Sequence, residues 1–174
     1  MRTWVPLSLV VLSLAGCATV PTELSHGPFS EVTPHEAQLR HLTGLRVRWG
    51  GDIVSTMPGE HETCFDVVSR PLDGVARPES TDQTYGRFLG CVQGFYDPAV
   101  YAPGREVTMT GTLGTPVVRK IGKYDYTFPE LDAQAVHLWP IRVQYRYYYA
   151  PYSYGPWGPS WGPWGPWGPW PYGW

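Results

Sequence analysis

The sequence has almost no excess charge of either sign. Thirteen Lys and Arg stand against fifteen Asp and Glu, a formal net charge of -2. Without a basic field there is little to hold a phosphate backbone, so nucleic acid is not an expected partner. No acidic tail is present either. The chain also lacks the run of about 20 apolar residues that a membrane-spanning helix needs. Gly-x-Ser-x-Gly, His-Glu-x-x-His, a phosphate-binding loop and a dinucleotide fingerprint are all missing. The histidines are scattered at 26, 35, 41, 61 and 137. Glu60-His61-Glu62 is the nearest approach to a metal cluster and reads as a loop of mixed charge. Among Asp66, Asp73, Asp82 and Asp97, no spacing selects a pair for acid–base work. The expectation is no enzyme, no catalytic residue, no metal and no cofactor. A pocket gathering Arg48, Arg87 and Asp66 with perturbed acidities would reverse it.

Cysteine is scarce, and the first of the three is informative. Arg2 gives a positive start, Trp4 to Leu14 a short apolar stretch, and Leu14-Ala15-Gly16-Cys17 follows. The stretch has the length of a signal-peptide core. The tetrapeptide resembles the lipobox of bacterial lipoproteins: Ala15 and Gly16 fit a peptidase cleft, and the Cys17 thiol is the one nucleophile there that can take a thioether-linked diacylglycerol. Residues 1–16 are thus expected to be a lipoprotein signal peptide, with a covalent lipid on Cys17. At about 0.8 kcal/mol per buried CH₂, three acyl chains make an effectively permanent anchor. Ala18 follows, where Asp would argue for retention in the inner membrane, so the outer membrane is the expected site, on a face left open.

Residues 17–44 are predicted to be a lipidated tether containing one short helix. Pro21, Gly27 and Pro28 argue for extended chain up to Ser30. Thr33-Pro34-His35-Glu36 reads as a capping box with proline at the first helical position. The helix is predicted over about residues 34–42, stopped at Gly44.

Residues 45–140 are strand-like. Leu45, Val47, Trp49, Gly51 and Ile53 alternate with polar residues or glycine, with Gly51 placed to let the strand bend. Thr63–Ser69, Arg87–Phe95 and Glu106–Leu113 follow, then Tyr124–Phe128 and Ala135–Trp139. Five or six short strands separated by Gly/Pro turns predict an all-β fold: a small OB-like barrel with one short N-terminal helix and a disordered aromatic C-terminal tail. If the second and third strands pair antiparallel, Cys64 and Cys91 share an outer face. They could bond, in keeping with an oxidising compartment, or remain two separate thiols.

The same strands resemble the Slp family, outer-membrane lipoproteins named for starvation induction. The matching segments are Arg48-Trp49-Gly50-Gly51-Asp52-Ile53, Pro71-Leu72, Gly86-Arg87-Phe88-Leu89, Gly94-Phe95-Tyr96-Asp97-Pro98 leading to Tyr101, Gly104 with Val107-Thr108, Lys120 to Tyr126, and Leu138-Trp139-Pro140. Order and spacing carry the resemblance, which implies location and fold and no catalytic residue. Cys64 and Cys91 lie outside the family pattern.

Residues 141–174 change character. After Tyr145-Arg146-Tyr147-Tyr148-Tyr149, Gly-Pro-Trp triplets repeat, and six of the nine Trp fall at 157, 161, 164, 167, 170 and 174. Proline at every third place forbids helix and sheet ladders, while a polyproline II period of three lines the rings along one edge. Trp157, Trp161, Trp164, Trp167, Trp170 and Trp174 are therefore candidates for contact with the membrane interface, an envelope protein or glycan. A functionally neutral extension is the plain alternative.

The expected function is a non-enzymatic, lipid-anchored outer-membrane protein with a structural or partner-interacting role. The alternative is a periplasmic or surface module binding glycan or peptide through the barrel and the tail. An exposed aromatic groove on the first three strands would favour it.

Overall fold

The computed structural model describes residues 19–143. Cys17 and the six tail tryptophans lie outside the described residues. The chain divides into two units, Met1–Ile141 and Arg142–Trp174, and the first carries the fold. No helix among the described residues is long and apolar enough to cross a membrane.

Two short helices, α1 (Thr22–Ser25) and α2 (Pro34–Arg40), precede seven strands: β1 (Arg46–Pro58), β2 (Glu62–Ser69), β3 (Arg87–Gln93), β4 (Glu106–Leu113), β5 (Val117–Ile121), β6 (Tyr124–Phe128) and β7 (Glu130–Leu138). Five of them close a barrel in the order β1-β2-β3-β7-β4, and β5 and β6 form a separate hairpin. All barrel pairings are antiparallel except β3 with β7. This five-strand closure is the OB-like, all-β architecture expected from the sequence.

The barrel closes because β1 bends. Its first half pairs with β4 and its second with β2, and Gly51 pairs in both ladders, opposite Val107 and Ser69. A Cβ on Gly51 would run into the Val68 carbonyl. Only glycine admits that approach.

Several boundaries differ from expectation, each for a local reason. β1 continues past Ile53 to Pro58, because a register shift between Ile53 and Ser55 resets the alternation. β3 stops at Gln93, where Gly94 turns with φ of 97°. β7 begins at Glu130, five residues early. β5 was not predicted; Val118, Arg119 and Lys120 are exposed and pair only with β6. The capping box is present, with Thr33 Oγ1 accepting from the Glu36 amide and Glu36 Oε2 accepting from the Thr33 amide. The helix ends at Arg40, because His41 already takes a left-handed turn as its cap, with φ of 48°, ahead of Gly44, which turns in the same sense with φ of 72°.

The core fills the barrel between two caps. α2 closes the end where β1 begins and β4 finishes: Ala37 is buried in the core, and the Gly44 amide donates to the Leu113 carbonyl. Tyr96 and Tyr101 close the other end, both stacked on Phe65, with Thr56 Oγ1 donating to the Tyr101 carbonyl.

The cap on α2 gives a first prediction. Hydrogen bonds from the Thr33 backbone and side chain hold the Glu36 carboxyl below its ordinary value. A depressed carboxylate supports folding above the ordinary carboxylate range and loses that support as pH falls through the folded value. Thr33→Ala is expected to cost about 1 kcal/mol at neutral pH. The gap in denaturant midpoint between variant and parent should narrow, without closing, as the pH is lowered into the acid range, because the Glu36 amide still donates to the Thr33 hydroxyl of the parent.

Candidate membrane-proximal face

The segment after Cys17 is not a free tether. Leu24 is 0% exposed and packs with Ala76 and Trp139, joined by Val20, Leu72 and Val75. Polar contacts fix the same strip of chain. Arg48 Nη1 donates to the Leu24 carbonyl at 3.2 Å. His137 Nδ1 and Glu23 Oε1 lie 2.6 Å apart, and the α1 backbone and then His137 hold the Glu23 carboxyl below its ordinary value. Phe29 lies beneath two guanidinium groups, those of Arg46 and Arg48, at 5.5 and 5.1 Å. The Ser30 amide donates to the Arg46 carbonyl. The expectation of extended chain up to Ser30 is corrected accordingly over residues 19–30: a one-turn helix docks on the outside of β1, β4 and β7.

The outer face of β4 is covered too. Thr108 and Thr110, which alternate with the core residues Val107 and Met109, are buried. Thr108 Oγ1 accepts from Trp139 Nε1 at 2.9 Å and donates to the Ala76 carbonyl at 2.7 Å. A buried hydroxyl satisfied as both donor and acceptor carries no desolvation penalty. The signal available in the sequence was that, past Glu106 at its start, this face carries only threonines, Thr108, Thr110 and Thr112, and no further charge.

The outer face of β2 and β3 is covered as well. Cys64 and Cys91 are direct partners in the ladder and are joined as a disulfide. Over them lies the β5–β6 hairpin, whose Phe128, Tyr126 and Ile121 form a second small core with Leu89 and Cys91. Tyr126 Oη accepts from the Arg87 amide at 3.1 Å. Glu62 lies close to both cysteine sulfurs, but with those sulfurs bonded to each other they offer no thiolate ligand.

Of the three residues that an enzyme would have needed together, two meet. Arg87 Nη1 donates to Asp66 Oδ2 at 3.1 Å. Burial pushes the Asp66 carboxyl up, against the opposing pull of Arg87. Arg48 stands apart. It lines a groove of about 370 Å³ between residues 29–34 and 70–73, with Phe29, Trp49, Arg70 and Tyr85, and neither Asp66 nor Arg87 lines it. Arg70 is already committed to Asp52 at 2.9 Å.

A closed five-strand barrel with its N-terminal segment bound to its own wall, following a lipobox-like tetrapeptide, defines a small envelope lipoprotein. The family model described as "Outer membrane lipoprotein Slp family" matches residues 14–172. The chain belongs to that family and is an outer membrane lipoprotein, held there by lipid. It is 30% identical over 153 residues to outer membrane protein Slp of Escherichia coli (strain K12), covering 86% of this chain and 80% of that protein. It is 30% identical over 139 residues to the lipoprotein YeaY of the same organism, covering 76% and 70%. Among solved structures, a small single-stranded DNA-binding protein from Streptomyces coelicolor aligns with 16% identity and a TM-score of 0.38, over 56% of this chain and 94% of that one.

Proposed function

We propose that this protein is a non-enzymatic lipoprotein whose barrel is held close to the membrane by Cys17 and serves a structural or partner-interacting role, with expression linked to starvation. The burial of Leu24 carries the reading. A domain meant to range freely would keep its linker in solvent, whereas here the linker is part of the fold. The aromatic tail is the proposed contact for an envelope protein, glycan or the membrane interface, through Trp157, Trp161, Trp164, Trp167, Trp170 and Trp174.

The ligand-binding alternative retains one supporting observation, the groove lined by Phe29, Arg48, Trp49 and Tyr85. Against it, the β2–β3 face on which OB-folds take oligomers carries the hairpin and the disulfide.

The test is to compare the wild-type protein, Cys17→Ala and Leu24→Asp in a Gram-negative host grown with radioactive palmitate. Label in the outer-membrane fraction is expected for the wild type and Leu24→Asp and is expected to be absent from Cys17→Ala. On washed membranes, protease should release the Leu24→Asp barrel several-fold faster than the wild type, because the undocked segment becomes a local opening. Equal release would sink the held-barrel reading, and equal label on Cys17→Ala would sink the anchor.

A further inference from the structure

The chain enters and leaves the barrel unit at one place. Val20, near the entry, packs in the same apolar cluster as Trp139, two residues before the unit ends at Ile141. That place lies at the tyrosine-capped end of the barrel. The Trp139 amide donates to the carbonyl of Glu106, the first residue of β4. One side chain ties this exit to the capping loop: Arg105 donates through Nη1 to the Val100 carbonyl at 3.0 Å and through Nη2 to the Trp139 carbonyl at 3.1 Å.

The loop that follows β3 and ends at Arg105 turns large apolar groups outward. Tyr96 and Tyr101 stack on each other at 5.1 Å and on Phe65, inside the barrel mouth. Their neighbours Phe95 and Val100 are left 73% and 48% exposed, and Ile141 beside the exit is 72% exposed. α2, with exposed Leu39, caps the opposite end.

We propose that this end of the barrel is a membrane-contacting surface, with Phe95, Val100 and Ile141 entering the headgroup region of the leaflet that holds the acyl chains of Cys17. The proposal rests on the lipid-anchor reading and adds an orientation to it. Val20 is three residues beyond Cys17, so the lipid attachment lies within about 11 Å of it along the chain. The docked Leu24 removes the slack that would let the barrel turn over. The anchored end must therefore face the bilayer. Exposed aromatic and aliphatic side chains at the anchored end are the kind that partition into the interface, and Arg105, which ties the rim to the exit, stands in the same loop as the exposed Asp97. The α2 end then faces away from this leaflet.

The experiment uses full-length lipidated protein, purified in detergent and reconstituted into phosphatidylethanolamine/phosphatidylglycerol vesicles. Phe95→Cys, Val100→Cys and Leu39→Cys each carry a nitroxide; the native Cys64–Cys91 pair is bonded and leaves no free thiol. On vesicles, collisions with a water-soluble relaxant are expected to fall several-fold at 95 and 100 and to stay unchanged at 39. Vesicle-bound protein whose labels at 95 and 100 stay as wet as that at 39 overturns the orientation while leaving the anchor in place. Protein that does not associate with vesicles at all overturns the anchor, and the orientation with it.

Discussion

Substituting alanine for Phe88 is expected to lower the free energy of unfolding by about 3–5 kcal/mol. The ring is fully buried in the barrel core and meets Trp49 edge to face at 5.3 Å. Gly90, two residues along on β3, leaves room that Met109 and Phe88 fill together. Removing the ring takes away its transfer energy, and whatever hole the neighbours do not close adds a cavity penalty. Domains of this size have only about 5–15 kcal/mol in total. At roughly 4 °C per kcal/mol, the melting temperature should fall by more than about 10 °C. Urea titration checks it, with a lower midpoint at unchanged slope. A loss below about 1 kcal/mol would mean that the barrel is not closed around this ring.

The parts of the fold that the sequence made legible are those whose physics is local. Thr33 and Glu36 satisfy each other's backbone within one turn, so the capping box could be read from four residues. The strands could be read where one face is buried and the other wet, as in β2, where Thr63, Phe65, Val67 and Ser69 alternate with half-exposed residues. Gly51 was legible because a glycine on an apolar face has few other uses. What escaped depended on contacts far along the chain. Leu24 is a lone apolar residue with no periodicity around it, and only its partners Ala76 and Trp139 explain it. β5 has no buried face of its own and exists because β6 pairs with it. The extension of β1 was hidden by the bulge after Ile53, which reverses the phase of alternation. The candidate face was harder still, since its parts come from residues 20–30, 72–77, 100–108 and 137–141. The lipid anchor needed no structure, because a lipobox is a linear signal read by a peptidase.

Replacing both Cys64 and Cys91 with alanine is expected to cost about 3–4 kcal/mol. Their sequence separation is 27, and opening such a loop returns its closure entropy to the unfolded chain. The effect acts mainly on the denatured ensemble, so the folded barrel should keep its strands. A second consequence is local. Cys91 is buried with Leu89 and Phe128, so removing the sulfurs also thins the small core that seats the β5–β6 hairpin. Hydrogen exchange should therefore quicken in the hairpin before it quickens in β1 or β4. A protein held at the outer membrane meets an oxidising compartment, where such a bond persists. Wild-type protein unfolded in reductant should match the double variant, while in its absence the two should separate by the full amount. Two free thiols in oxidised, folded protein, revealed by alkylation without reductant, would end the argument. The midpoints of the two proteins would then coincide with or without reductant, and the hairpin would be held on its face by Phe128, Tyr126 and Ile121 alone.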